Sequence, residues 1–118
     1  MKEFLIVGAG GAIGSMLRYA GNVLYNNRSF PVTTLLINII GSFIIGLAIG
    51  YSLKNQSSVN WKLFLATGIC GGFTTFSAFS FENLVLLQNG KIFTCLLYIL
   101  SSVVLGITAA WLGYKIIN

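Results

Sequence analysis

Four apolar stretches fill this chain almost end to end. Counted against roughly 20 residues per membrane crossing, they run at about 3–25, 32–53, 62–88 and 92–114. A bilayer offers no water to backbone N–H and C=O groups, so each stretch must close its own hydrogen bonds as a helix. The expectation is an all-α membrane protein of four transmembrane helices, one transmembrane domain spanning residues 1–118. Mean hydropathy is +0.87 and only 8% of residues are charged, which excludes a soluble core. Little chain remains, so no soluble domain, signal-peptide cleavage site or low-complexity linker is expected. The place expected for such a chain is the cell inner or plasma membrane, as a multi-pass protein. Pro31, the one proline, suits the first turn of the second helix.

The third stretch is the least regular. Gly68-Ile69-Cys70-Gly71-Gly72-Phe73-Thr74-Thr75-Phe76-Ser77-Ala78-Phe79-Ser80-Phe81 is a poor continuous helix. Gly71 and Gly72 each cost about 1 kcal/mol against Ala in a helix interior. Thr74, Thr75 and Ser77 can bond locally and compete with the helical ladder. A break at membrane depth is tolerated only where protein or water satisfies the freed groups. The third helix is therefore expected to be broken mid-membrane, and such breaks bring carbonyls and helix ends to ion sites.

Polar residues elsewhere fall in rows. Thr34, Asn38 and Ser42 share a helix stripe at i, i+4, i+8, and Ser42, Gly46 and Gly50 continue the spacing as a packing seam. Asn38 needs a partner in hydrocarbon, either across a helix contact or in a polar path. Thr94, Tyr98 and Ser102 form a second row, continued by Gly106 and Ala110. In the first span, Gly10 and Gly14 make a small face for close helix approach. Arg18, near the end of that span, either snorkels to the interface or attracts an anion into a vestibule. At 1.5 Å per residue, Arg18, Asn38 and Tyr98 each lie roughly 9–11 Å from the same membrane face, with Ser102 and Phe76 near the midplane. Four spans thus aim polar or aromatic groups at one half of the bilayer.

The charge pattern excludes several chemistries. There is no histidine, and the only carboxylates are Glu3 and Glu82, so a transition-metal site or acid–base catalysis is nearly excluded and no enzyme is expected. Glu82 should be wet or paired. Cys70 and Cys95 read as packing residues. No phosphate-binding Gly-Lys-Ser/Thr loop is present, so ATP is not the energy source. Lys2, Lys54, Lys62 and Lys115 fall on one side, and Arg28, Lys91 and Arg18 on the other, a weak bias for orientation. A chain this balanced can insert both ways, and two opposed copies would carry a half-membrane polar path across the whole bilayer.

Gly10-Gly11-Ala12-Ile13-Gly14-Ser15-Met16-Leu17-Arg18-Tyr19, Asn38-Ile39-Ile40-Gly41-Ser42-Phe43 and Gly71-Gly72-Phe73-Thr74-Thr75-Phe76-Ser77-Ala78-Phe79 together resemble the signature motifs of the Fluc (CrcB) fluoride channels. The likeness runs through the whole chain in length, span count and motif order. It implies a passive fluoride-selective channel that exports fluoride, built as an antiparallel, dual-topology homodimer with two pores. It implies that Asn38 donates to fluoride, that Phe76 and Phe79 line the pathway with Ser77 between them, and that Thr34, Tyr98 and Ser102 form a polar track. Arg18 matches a vestibule arginine. A sodium ion is implied at the dimer centre, held by the backbone carbonyls of Gly71 and Thr74 from both copies. Ala78 stands where the family usually has threonine, and Gly106 where the track often ends in serine. The partners implied are fluoride, sodium, a second copy of the chain and the lipid bilayer, with no nucleic acid.

Fluoride chemistry suits these residues. The ion is small and tightly hydrated, so a pore must supply replacement donors. An amide and several hydroxyls do so without a fixed cation that would trap the ion. Phenylalanine ring edges are electropositive and add to them. The net charge of +5 favours anions at the mouths. Two rivals remain on the sequence: a small multidrug-type proton-coupled exporter, which needs a carboxylate in the first span, and a non-transporting subunit of a larger complex.

Overall fold

The computed structural model describes residues 1–24, 31–55 and 59–118. The end of the first predicted span at Tyr25, Arg28, and the middle of the 54–61 loop lie outside them. Among the described residues the chain is all-helical. Helix α1 is Lys2–Leu24, α2 is Val32–Asn55 and α3 is Val59–Lys62. A π-helical segment, Leu63–Cys70, runs into a single turn, α4 (Gly71–Phe73). Helices α5 (Phe76–Gln88) and α6 (Ile92–Ile117) follow. Lys2–Leu24, Val32–Ser52, Asn60–Gln88 and Ile92–Ile117 are each long and apolar enough to cross a membrane. The chain is a multi-pass membrane protein.

The helical ladder of the third span stops at two threonines. Thr74 (φ −84°, ψ 152°) and Thr75 (φ −153°, ψ 130°) are extended, whereas Gly71 is helical at φ −63°, ψ −38°. The glycines of this stretch therefore do something other than turn the chain. A Cβ on Gly72 would come 2.5 Å from the Gly11 carbonyl oxygen, so Gly72 permits close approach of α1. The same reason holds for Gly10, where a Cβ would sit 2.5 Å from the Phe64 oxygen and 2.9 Å from the Gly68 Cα. At Gly14 it would strike the Ile69 carbonyl. Helix α1 thus clasps the π segment and α4 through bare backbone.

The turn between α5 and α6 is closed by Gly90 at φ 74°. Its N–H donates to the Leu87 oxygen at 3.1 Å, and Lys91 N–H donates to the Leu86 oxygen at 2.9 Å. That pairing is a Schellman cap, which needs a left-handed residue where Gly90 stands. At the far end, Lys115 lies 5.8 Å from the Trp111 ring, and Tyr51 stacks on Trp61 at 5.7 Å, aromatic and basic groups of the kind that settle at a membrane interface.

Helices α2 and α6 run parallel and in register. Thr34 and Tyr98 meet through a shared partner, Ser42 faces Gly106, Gly46 faces Ala110 and Gly50 faces Tyr114. The lower part of this seam is backbone against backbone. A Cβ on Gly46 would strike the Ala110 oxygen, and one on Gly113 the Phe43 oxygen. The upper part carries the polar rows, and α5 leans on α6 beside it.

Candidate functional site

Where the seam opens, the extended threonines and the start of α5 stand beside it and enclose a groove of about 310 Å³. Its walls are Asn38, Ser42 and Ile45 from α2, Thr74, Thr75, Phe76 and Phe79 around the interruption, and Ser102, Val103 and Gly106 from α6. Apolar side chains supply most of the surface, and a few neutral polar groups converge on it. That is the make-up of a small-ligand site.

The interruption and the groove are tied together through Asn38. Its Oδ1 accepts from the Thr75 N–H at 3.3 Å. With the oxygen committed to a backbone donor, the amide N–H₂ is the end left for the groove. The Thr75 hydroxyl accepts from Ala78 N–H at 3.3 Å and so caps α5. These two bonds have a consequence for the carbonyls behind them. A continuous helix would send the Thr75 N–H to Gly71 and the Ala78 N–H to Thr74. Both donors are used elsewhere, so the Gly71 and Thr74 oxygens lose their helical partners. The third such carbonyl, Gly72, accepts from Arg18 Nε at 3.2 Å. Arg18 therefore binds the interrupted helix to α1.

Above the groove lies a second polar cluster centred on Glu82. Thr34 Oγ1 and Tyr98 OH donate to its two carboxylate oxygens, each at 2.8 Å. Tyr98 is fully buried and Thr34 nearly so. An aromatic row leads there from the groove. Phe76 and Phe79 have centroids 5.7 Å apart, and Phe79 and Tyr98 are 4.9 Å apart at 58°. Phe76, at the groove's lip, is 77% exposed. Nearby, the buried Asn83 donates to the Phe79 oxygen at 2.9 Å and accepts from Cys95 Sγ at 3.1 Å. Both cysteines are free and buried.

The structure thus brings Asn38, Phe76, Phe79 and Ser102 to one groove, and Thr34 and Tyr98 to the Glu82 cluster beside it. Thr74 also lines the groove. Ser77 is exposed on α5 with its hydroxyl 3.0 Å from Thr75 Oγ1, outside the groove walls. Gly71 is exposed on α4, and a Cβ there would meet nothing within 4 Å. Two residues carry more than their sequence pattern assigned them. Glu82 is one; its place three residues past Phe79 puts it on the same α5 face, and that spacing was the available signal. Ser42, read as part of a packing seam, lines the groove instead.

Fold and site define an all-α, multi-pass membrane protein with a groove of neutral donors and aromatic rings set beside an interrupted helix. Residues 5–114 match the family described as "CrcB-like protein, Camphor Resistance (CrcB)", and the chain belongs to that family. It is similar to a protein of Thermus thermophilus named "Fluoride-specific ion channel FluC", with 46% identity covering 98% of this chain and 95% of the relative. A protein of Flavobacterium psychrophilum with the same name is 47% identical, covering 96% of this chain and 94% of the relative.

Proposed function

We infer that this chain is a passive fluoride-selective channel that lets fluoride leave the cell and so lowers its cytoplasmic concentration. It is a channel and not an enzyme, as the names of its relatives indicate. The observation that carries the reading is the groove itself, whose described walls hold amide, hydroxyl and ring groups and no charged side chain. Such walls can replace the water of a small anion without trapping it.

On this reading the Asn38 amide donates to fluoride, held in place because its oxygen is engaged by Thr75. Phe76 and Phe79 turn electropositive edges toward the ion. Ser102 adds a hydroxyl. Thr34 and Tyr98 then become available as their hydrogen bonds to Glu82 yield to the arriving anion. Ser77 serves the path by steadying Thr75, and Arg18 raises the local potential for anions while holding Gly72.

The channel is proposed to work as an antiparallel, dual-topology homodimer with two pores, its third helix broken at mid-membrane depth. The 77% exposure of Phe76 supports a second copy closing the groove on that side. Sodium is proposed at the centre of that dimer. The oxygens of Gly71 and Thr74, deprived of their helical donors, are hard neutral ligands of the kind a hard monovalent cation takes, and Gly71 leaves open space for it. Bound there, the ion would neutralise the carbonyl dipoles that the interruption leaves over.

The proton-coupled exporter draws no support from the relatives. Glu3, the carboxylate nearest the first span, lies at the mouth of α1, 3.6 Å from the N-terminal amine, with its side chain 62% exposed. The deciding experiment is fluoride efflux from liposomes holding only this protein, read with a fluoride electrode beside a chloride trace. Fluoride flux without chloride flux is expected. Phe76→Ile and Phe79→Ile should abolish it in protein that still folds, and unchanged efflux from both would refute the pathway.

A further inference from the structure

We propose that the Ser42 hydroxyl, uncovered by the missing side chain at Gly106, is a fluoride-contacting donor at the deep end of the groove. The proposal rests on the channel reading. It begins from a difference between glycines on one seam. At Gly46 and Gly113 a Cβ would strike the backbone of the facing helix, so only glycine lets α2 and α6 touch there. At Gly106 a Cβ would meet nothing closer than Ser42 Oγ at 3.7 Å, an ordinary contact. Packing does not require glycine at this position, and glycine in a helix interior is about 1 kcal/mol worse than alanine. What the glycine leaves is space directly in front of the Ser42 hydroxyl. Gly106 and Ser42 both line the groove, so that space belongs to it.

The neighbours make the position chemically useful. Ser42 stands one helical turn beyond Asn38 on the same α2 stripe, about 6 Å along the axis. Across the groove on α6, the Ser102 hydroxyl is buried without a hydrogen-bond partner among the described residues. In the shared register Ser102 stands level with Asn38, so an ion held by the amide and the Ser102 hydroxyl meets the Ser42 hydroxyl next, before the seam closes at Gly46. A serine hydroxyl can rotate to present its proton to an anion. A desolvated fluoride needs such donors at every step, since each one lost is a barrier.

The test uses the purified full-length chain in planar bilayers with fluoride as the only permeant anion. Wild-type current is measured first, and its absence would sink the channel reading itself, whatever the variants do. Ser42→Ala should then lower fluoride current about tenfold, the loss of one hydrogen bond to a charged group. Gly106→Ala should lower it as well, because the added methyl covers the Ser42 hydroxyl, while its melting temperature stays at or above wild type. The double variant Ser42→Ala with Gly106→Ser returns a hydroxyl to the same space from the opposite helix, and recovered current supports the proposal. If Ser42→Ala does not yield folded protein, Gly106→Ala alone decides. Wild-type current from either folded single variant overturns the assignment.

Discussion

The two ends of the α2–α6 seam use the same helices and the same spacing to opposite effect. Around Gly46 and Gly113 the helices meet backbone to backbone, with the Ala110 and Phe43 carbonyls filling the place of absent side chains. From Thr34 to Ser42 the same stripe carries an amide and two hydroxyls, and the helices enclose a groove and a carboxylate cluster. Lipid gives helices no hydrophobic reason to associate, so contact must come from close packing or from polar pairing. One end of the seam takes the first route and the other end the second. The sealed end fixes the register, and the fixed register aligns the donors of the open end.

The largest effect should come from breaking the sealed end. Gly46→Ala places a methyl against the Ala110 oxygen, which belongs to the backbone and cannot swing aside. A loss of about 3 kcal/mol is expected, read as a lower melting temperature in detergent, because overpacking forces the helices apart. Next is Asn38→Asp, which isolates the open end's chemistry. The aspartate can still accept from Thr75 N–H, so folding should be retained within about 1 kcal/mol. It replaces the groove-facing donor with negative charge, and fluoride current should fall about a hundredfold or more. Normal current would show that the amide does not face the ion.

Thr34→Val ranks third. It removes one of the two hydroxyls on Glu82 and should cost about 2 kcal/mol, the worth of a hydrogen bond to a charged group in a partly buried place. A thermal melt that equals wild type would mean the carboxylate finds another donor. The smallest effect is expected at Gly50→Ala. Its Cβ would meet the movable end of the Asn118 side chain at 2.8 Å and the Tyr114 oxygen at 3.1 Å. The gain in helix propensity, about 1 kcal/mol, offsets most of that crowding. A loss as large as at Gly46 would show that the sealed region extends a full turn further than the contacts indicate.

A second contrast separates local pattern from packing. The four spans are legible in hydropathy alone, because an apolar run of sufficient length has no other stable form in a bilayer. The two polar rows are legible as well, since residues four apart share a helix face whatever surrounds the helix. Residue spacing also marks a helix under strain between 68 and 81. It does not say which residue yields. The glycines there remain helical, and at Gly68 and Gly72 the small size is used for close contact with α1. The chain extends at Thr74 and Thr75, where Asn38 and a threonine hydroxyl take up the released N–H groups.

The Glu82 cluster and the exposure of Ser42 lie beyond any periodicity. Glu82 meets Thr34 across 48 positions of chain and Tyr98 across 16. Those partners are selected by how α5 leans once the third helix has been interrupted. Ser42 faces open space only because Gly106 arrives opposite it, in a register set about one to two turns away by Gly46 and Gly113. Composition and spacing act through neighbours a few residues apart and through the solvent, so they dictate helices and their faces. The meeting of two faces is a property of packing, in which one methyl more or less decides whether backbones touch or a passage stays open.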